Sequence, residues 1–177
     1  EGGGRILGEV CHFVDLLHFL AGAPPRSVFA TRMPSTGQNV LADDNLLATV
    51  DFADGSRGSI LYSAQGAEAM PKELIEVIGN GKSAALDNFR SLQLYRGTSK
   101  STHRSRQDKG HRSQFEALVD AIIHGVDPPI PLEDLLLSSE ATLCIVQSLN
   151  EASPVRVDAA GLLPQVTDKP APGVLDS

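Results

Sequence analysis

From Ile6 onward, the apolar positions Ile6, Val10, Phe13, Val14, Leu17, Leu20 and Ala21 recur at spacings of three and four, the period of one helix face. Gly22 supplies a left-handed stop and Pro24 and Pro25 forbid continuation, which predicts a helix from about Ile6 to Ala21. The period then changes. Ser27–Met33 reads as a short strand, 37–44 as a polar loop, and Asn45–Phe52 alternates with Leu46, Ala48, Val50 and Phe52 on one face. Ala53, Asp54, Gly55 and Ser56 carry hairpin chemistry, with Arg57–Gln65 as the partner strand. Glu73–Ile78 is a further strand, followed by the turn Gly79, Asn80, Gly81 and the short strands Ser83–Leu86 and Leu92–Tyr95. Helical spacing returns after Gly110 in the stripe Phe115, Leu118, Val119, Ile122 and Ile123, closed by Gly125, Pro128 and Pro129. Pro131 opens a last helix with Glu133 and Asp134 in its first turn, where the dipole favours acids. Its predicted apolar stripe runs through Leu132, Leu135, Leu136, Leu143, Val146 and Leu149. Beyond Pro154 the period is lost, and 158–177 is expected to be a mobile tail after a domain spanning 1–157.

A helix, then short strands joined by tight turns, then two helices describes an α+β domain. Its largely antiparallel β-sheet has five to six or more strands, with the helices packed on one face. Strands apolar on both sides, such as Leu46 with Leu47 or Ile60 with Leu61, leave the other face available for dimerisation, most simply as a homodimer.

The 177 residues carry a net charge of -7, which argues against a nucleic-acid partner. The one basic run, Lys100 to Arg112, reads as a solvated loop before a helix. Cys11 and Cys144 sit inside amphipathic patterns, as buried thiols of a reducing, cytoplasmic compartment do. No apolar run reaches the roughly 20 residues of a membrane span, and the start has no signal-peptide pattern. Because position 1 is Glu, the chain is expected to be a fragment of something longer.

The chemistry concentrates on the first helix, where Glu9, His12 and Asp15 follow at intervals of three. Near a helix start the dipole disfavours imidazolium, keeping a neutral base at His12, and a carboxylate on one ring nitrogen raises the basicity of the other. The alternative for His12 is a structural contact between helix and sheet. Glu9, Cys11 and His12 are competent metal ligands, but Cys11 points about 100° from His12 and no further ligand motif exists, so no metal is expected. His18 is expected on the exposed side or at the end of its helix, His124 at a helix C-terminus, and His103 and His111 in solvent. Lys109 and His111, at the start of the penultimate helix, could nonetheless reach a ligand if that end faces the site. The glycine triplet Gly2–Gly4 is no phosphate loop, so no residue here is expected to bind a cofactor.

The triplet Gly2, Gly3, Gly4, with His12, Asp15, Leu16, Leu17 and the closing Leu20, Ala21, Gly22, resembles the start of the C-terminal domain of the Gfo/Idh/MocA oxidoreductases. The family takes its name from glucose-fructose oxidoreductase, inositol dehydrogenase and rhizopine catabolism proteins. Asp54–Gly55 between strands, the segment Glu76 to Gly81, Phe115 to Gly125 before Pro128 and Pro129, and Asp134 match in order over about 2–157. The wording Gly8, Glu9, Val10, Cys11, His12 is most similar to the bi-domain bacterial subgroup fused behind a zinc-alcohol-dehydrogenase-like region. The resemblance implies an absent N-terminal Rossmann half that binds NAD or NADP and supplies a catalytic lysine. It also implies hydride transfer on a sugar or polyol CH–OH group. His12 is then the catalytic proton carrier and Glu9 its carboxylate, both with Lys109 contacting substrate, in a fragment not expected to be active alone. One departure stands out: the family usually has Asp where this chain has Gly8. The alternative is a non-catalytic oligomerisation or scaffold domain.

Overall fold

A computed structural model describes residues 5–34 and 45–158. The glycine triplet, the loop at 37–44 and all but the first residue of the expected tail lie outside them. The chain divides into two compact units, residues 1–65 with 130–177, and residues 66–129.

The first unit begins with a π-helical turn, Ile6–Val10, running directly into helix α1, Cys11–Ala21. The backbone N–H of Cys11 reaches back five residues to the carbonyl of Ile6, so the expected regular helix is locally widened around Gly8. Gly22, at φ +63°, ends α1 by donating its N–H to the His18 carbonyl at 3.0 Å. Strands β1 (Pro25–Arg32), β2 (Asn45–Phe52) and β3 (Arg57–Ser63) follow. The hairpin between β2 and β3 is locked by Asp54, which accepts from the Ser56 backbone at 3.0 Å and its hydroxyl at 2.7 Å. Those bonds hold the Asp54 carboxyl below its ordinary value.

In the second unit β4 (Leu74–Gly79), β5 (Lys82–Asp87), β6 (Ser91–Arg96) and β7 (Ser99–Arg104) form an antiparallel meander. Asn80 and Gly81, both at positive φ, make the two-residue turn joining Gly79 to Lys82. Helix α2, His111–His124, follows and stops at Gly125, φ +62°. The chain then returns to the first unit as α3 (Leu132–Glu151) and β8 (Val155–Arg156).

The architecture is α+β, but the strands form two four-stranded antiparallel sheets, β3-β2-β1-β8 and β4-β5-β6-β7, rather than one. The break follows β3, where 66–73 forms turns and bends with no ladder partner. The first five residues of the basic run, 100–104, proved to lie in strand β7, paired residue by residue with β6, and not in a loop. Alternation alone does not reveal it, because all six of its residues are exposed.

The core of the first unit lies between its sheet and the helices α1 and α3. Val28, Ala30, Leu46, Ala48, Val50 and Ile60 meet Val10, Val14, Ala141, Cys144, Ile145 and Leu149. The stripe of α3 is thus displaced from the expected one: Leu132, Leu135 and Leu143 are exposed, and small residues face the sheet. The reason is backbone proximity, for Ser148 accepts from the Ala30 N–H at 3.0 Å and donates to the Ser153 carbonyl at 2.6 Å. It serves the edge of β1 beyond the end of β8, where a bulky side chain would leave that N–H unsatisfied. Arg32 adds hydrogen bonds to the Leu149 carbonyl and to Asn150 Oδ1 at the C-terminal end of α3.

Candidate functional site

Glu9 lies in the π-helical turn and His12 stands on the first turn of α1. Both are exposed, while Val10 and Val14 turn into the core on the opposite side. At about 100° per residue, His12 lies some 160° around the helix from Val14, so burying Val14 places the imidazole outward. Among the described residues no hydrogen bond or ion pair joins Glu9 to His12. The widened turn alters the angular relation that regular helix spacing predicts. Gly8 lies inside that turn at ordinary φ, and a Cβ built there meets nothing within 4 Å.

Cys11, half-buried between them, has its thiol pKa raised above the usual value, chiefly by burial. Backbone N–H groups of His12 and Cys11 oppose the shift, and Glu9 and Asp15 reinforce it. Cys144 is pushed up to about 11 by burial and by Glu140, and neither cysteine is in a disulfide. Both are therefore protonated thiols near neutral pH. No group of three or more His, Cys, Asp and Glu side chains among the described residues is arranged so that it could hold a metal ion.

Asp15 and His18 belong to a different assembly. Ser138 of α3 donates to Asp15 Oδ1 at 3.1 Å, and its oxygen lies 3.3 Å from His18 Nδ1. Since the hydroxyl has one proton and gives it to Asp15, the hydrogen between Ser138 and His18 must sit on Nδ1. His18 Nε2 then faces Asp134 Oδ1 at 4.0 Å. Of the two places expected for His18, the exposed side and the end of its helix, the structure gives the second: it is buried in the last turn of α1, because this polar set pins α1 to α3. Sequence reasoning missed the cluster, although Asp15 with His18 and Asp134 with Ser138 each stand one turn apart on facing helices.

Lys109 lies in the second unit, where its Nζ pairs with Glu73 Oε1 at 2.6 Å and sits 5.8 Å from the Phe89 ring centre. His124 ends α2 with a ring nitrogen 2.8 Å from the Asp120 carbonyl, in keeping with its expected C-terminal place.

The sequence model of the oxidoreductase family C-terminal alpha/beta domain matches residues 1–157. The chain belongs to the Gfo/Idh/MocA family. It is 25% identical, over 163 residues, to an uncharacterized protein, y4oX, of Sinorhizobium fredii, covering 82% of this chain and 45% of that protein. Two solved structures share the fold. An NAD binding oxidoreductase from Klebsiella pneumoniae aligns at TM-score 0.68 and 20% identity, over 84% of this chain and 49% of the other. An aldose-aldose oxidoreductase from Caulobacter crescentus, complexed with glycerol, aligns at TM-score 0.69 and 14% identity, over 88% and 51%. This Gfo/Idh/MocA domain thus spans about half the length of the relatives it matches. Both of its sheets are antiparallel throughout, so the described residues contain no parallel βαβ unit to cradle a dinucleotide. No helix among them is long and apolar enough to cross a membrane.

Proposed function

We propose that this chain is the substrate-binding, proton-transferring domain of an NAD- or NADP-dependent oxidoreductase acting on the CH–OH group of a sugar or polyol. The nicotinamide is held by a domain outside the described residues and supplies the hydride chemistry. This chain's part is the proton: the His12 imidazole takes it from the substrate hydroxyl in the oxidative direction and returns it in the reverse. Glu9 is the nearest acid in sequence to orient or charge that ring, and Lys109 is a further candidate contact to substrate oxygens. A cytoplasmic setting suits the two unpaired thiols.

The observation that supports this reading most is the contrast along α1. His18 and Asp15 are engaged in holding the helix, while His12, on the same helix, is exposed and joined to no described side chain. A second reading, a non-catalytic oligomerisation or scaffold domain, is supported by Gly8 and by the missing Glu9–His12 contact.

The test is His12→Ala in the full-length protein, assayed by nicotinamide absorbance against a panel of aldoses and cyclitols. Turnover is expected to fall by roughly 10² to 10⁴, the worth of a positioned proton-transfer group, with an unchanged circular dichroism spectrum. Unaltered turnover with any substrate that the parent protein oxidises would favour the scaffold reading.

A further inference from the structure

His12 stands at an end of α1 that has little bracing of its own. Val10, at the N-cap, makes no side-chain hydrogen bond, and the turn before it is π-helical. The direction of His12 is therefore set from further along the helix. Val14 and Leu17 seat α1 on the sheet, but apolar contact is non-directional and by itself tolerates a small rotation about the helix axis. Hydrogen bonds do not. Asp15 and His18 both reach one hydroxyl of α3, that of Ser138, and every group in this chain of bonds lies in the first unit. Ser138 is 6% exposed and His18 8%. The hydroxyl gives its proton to Asp15 at 3.1 Å and accepts from His18 Nδ1 at 3.3 Å, so each group has one role and a rotation of α1 carries both partners off the same oxygen.

We propose that Asp15, Ser138 and His18 are positioning residues: they fix the rotation of α1 about its own axis, and with it the direction in which the His12 imidazole leaves the helix. The inference rests on the reading above for what His12 does, though not for the pin itself. The lever is short. A side-chain atom about 6 Å from the helix axis moves by roughly 1 Å when the helix turns by about 10°. A misplacement of about 1 Å at a reacting group lowers a rate by on the order of 10²-fold. Loss of the Ser138 hydroxyl leaves the buried Nδ1–H without its acceptor, so α1 relaxes to a new orientation rather than keeping the old one.

The test compares Ser138→Ala and His18→Leu, which break the bonds, with His18→Asn, all in the full-length protein. Asparagine places its Nδ2 donor where the imidazole has Nδ1, while it gives up Nε2 and the approach to Asp134. The substrate is the aldose or cyclitol that the parent protein oxidises fastest. In the two breaking variants kcat is expected to fall roughly ten- to a hundredfold with KM within about twofold, and in His18→Asn to stay within about threefold of the parent. A group that only stabilises the fold lowers Tm and leaves the kcat of the folded protein parental, and that result in the breaking variants overturns the proposal. An equal loss in His18→Asn and His18→Leu also overturns it, by assigning the effect to the ring or to Asp134. Should Ser138→Ala fail to fold, the two His18 variants carry the same comparison. Amide hydrogen exchange of the peptides covering His12, read by mass, is expected to quicken on the order of tenfold in the breaking variants and not in His18→Asn, and unchanged exchange overturns the proposal. Exchange requires no turnover, so the expected pattern together with a fully active His12→Ala protein would sink the catalytic reading and leave the pin standing.

Discussion

Position 8 is where residue chemistry bears most directly on the proposed site. Gly8 has no side chain to offer His12, yet the space above its Cα is open and its φ is ordinary. An aspartate there would stand one turn before His12, where a carboxylate favours the protonated ring and so raises its basicity. Gly8→Asp is therefore expected to shift the acidic limb of the kcat/KM pH profile to higher pH. It should also raise turnover of the full-length protein. A profile identical to the parent's would show that the missing carboxylate is not what this site lacks. Glu9, the neighbour, does not fill the role through any direct contact among the described residues, which is how a one-residue displacement acts on a helix: it moves the group about 100° around the axis.

At the scale of elements, the seating of α1 depends on one close approach. A Cβ on Gly58 of β3 would lie 2.6 Å from Leu17 Cδ1 and 3.1 Å from its Cγ, so glycine is what lets Leu17 lie flat on the sheet. Gly58→Ala is expected to force Leu17 out of its rotamer and to cost about 1–3 kcal/mol, read as a lower Tm. Leu17→Ala should recover part of that loss in a double-mutant cycle, and an unchanged Tm in the single variant would refute the account. The opposite side of α1 is held differently, by Asp15, Ser138 and His18, so the helix carrying His12 is fixed by packing on one flank and by hydrogen bonds on the other.

For the whole molecule, the informative surface is the outer face of β3-β2-β1-β8. Leu47 and Leu61 stand opposite each other in the ladder at 43% and 71% exposed, while their neighbours Leu46 and Ile60 are buried. A homodimer through this face, the one expected from the doubly apolar strands, would cover them. Leu61→Glu is expected to convert that dimer to a monomer in size-exclusion chromatography with light scattering, at little cost to the monomer's own fold. A parent protein that is already monomeric, or a variant that remains dimeric, would exclude this face as the interface.

Much of this was legible in one dimension. Strands β2 and β3 and the turn at Asp54 and Gly55 follow from alternation and turn chemistry, and α1 from its period and its Gly22 stop. These are local preferences that neighbouring residues settle among themselves. The family motif around His12 also lies within one continuous stretch. What spacing could not supply was which apolar stripe meets a partner. The stripes of α2 and α3 look alike as patterns, yet α3 turns Ala141, Cys144, Ile145 and Ser148 to the sheet while α2 leaves its largest side chains uncovered. His18 illustrates the same limit from the polar side. Its burial is decided by Ser138 and Asp134, which lie far away along the chain, and only folding brings that serine and that carboxylate to one imidazole. The period of a sequence states that a face exists, and tertiary packing alone decides what covers it.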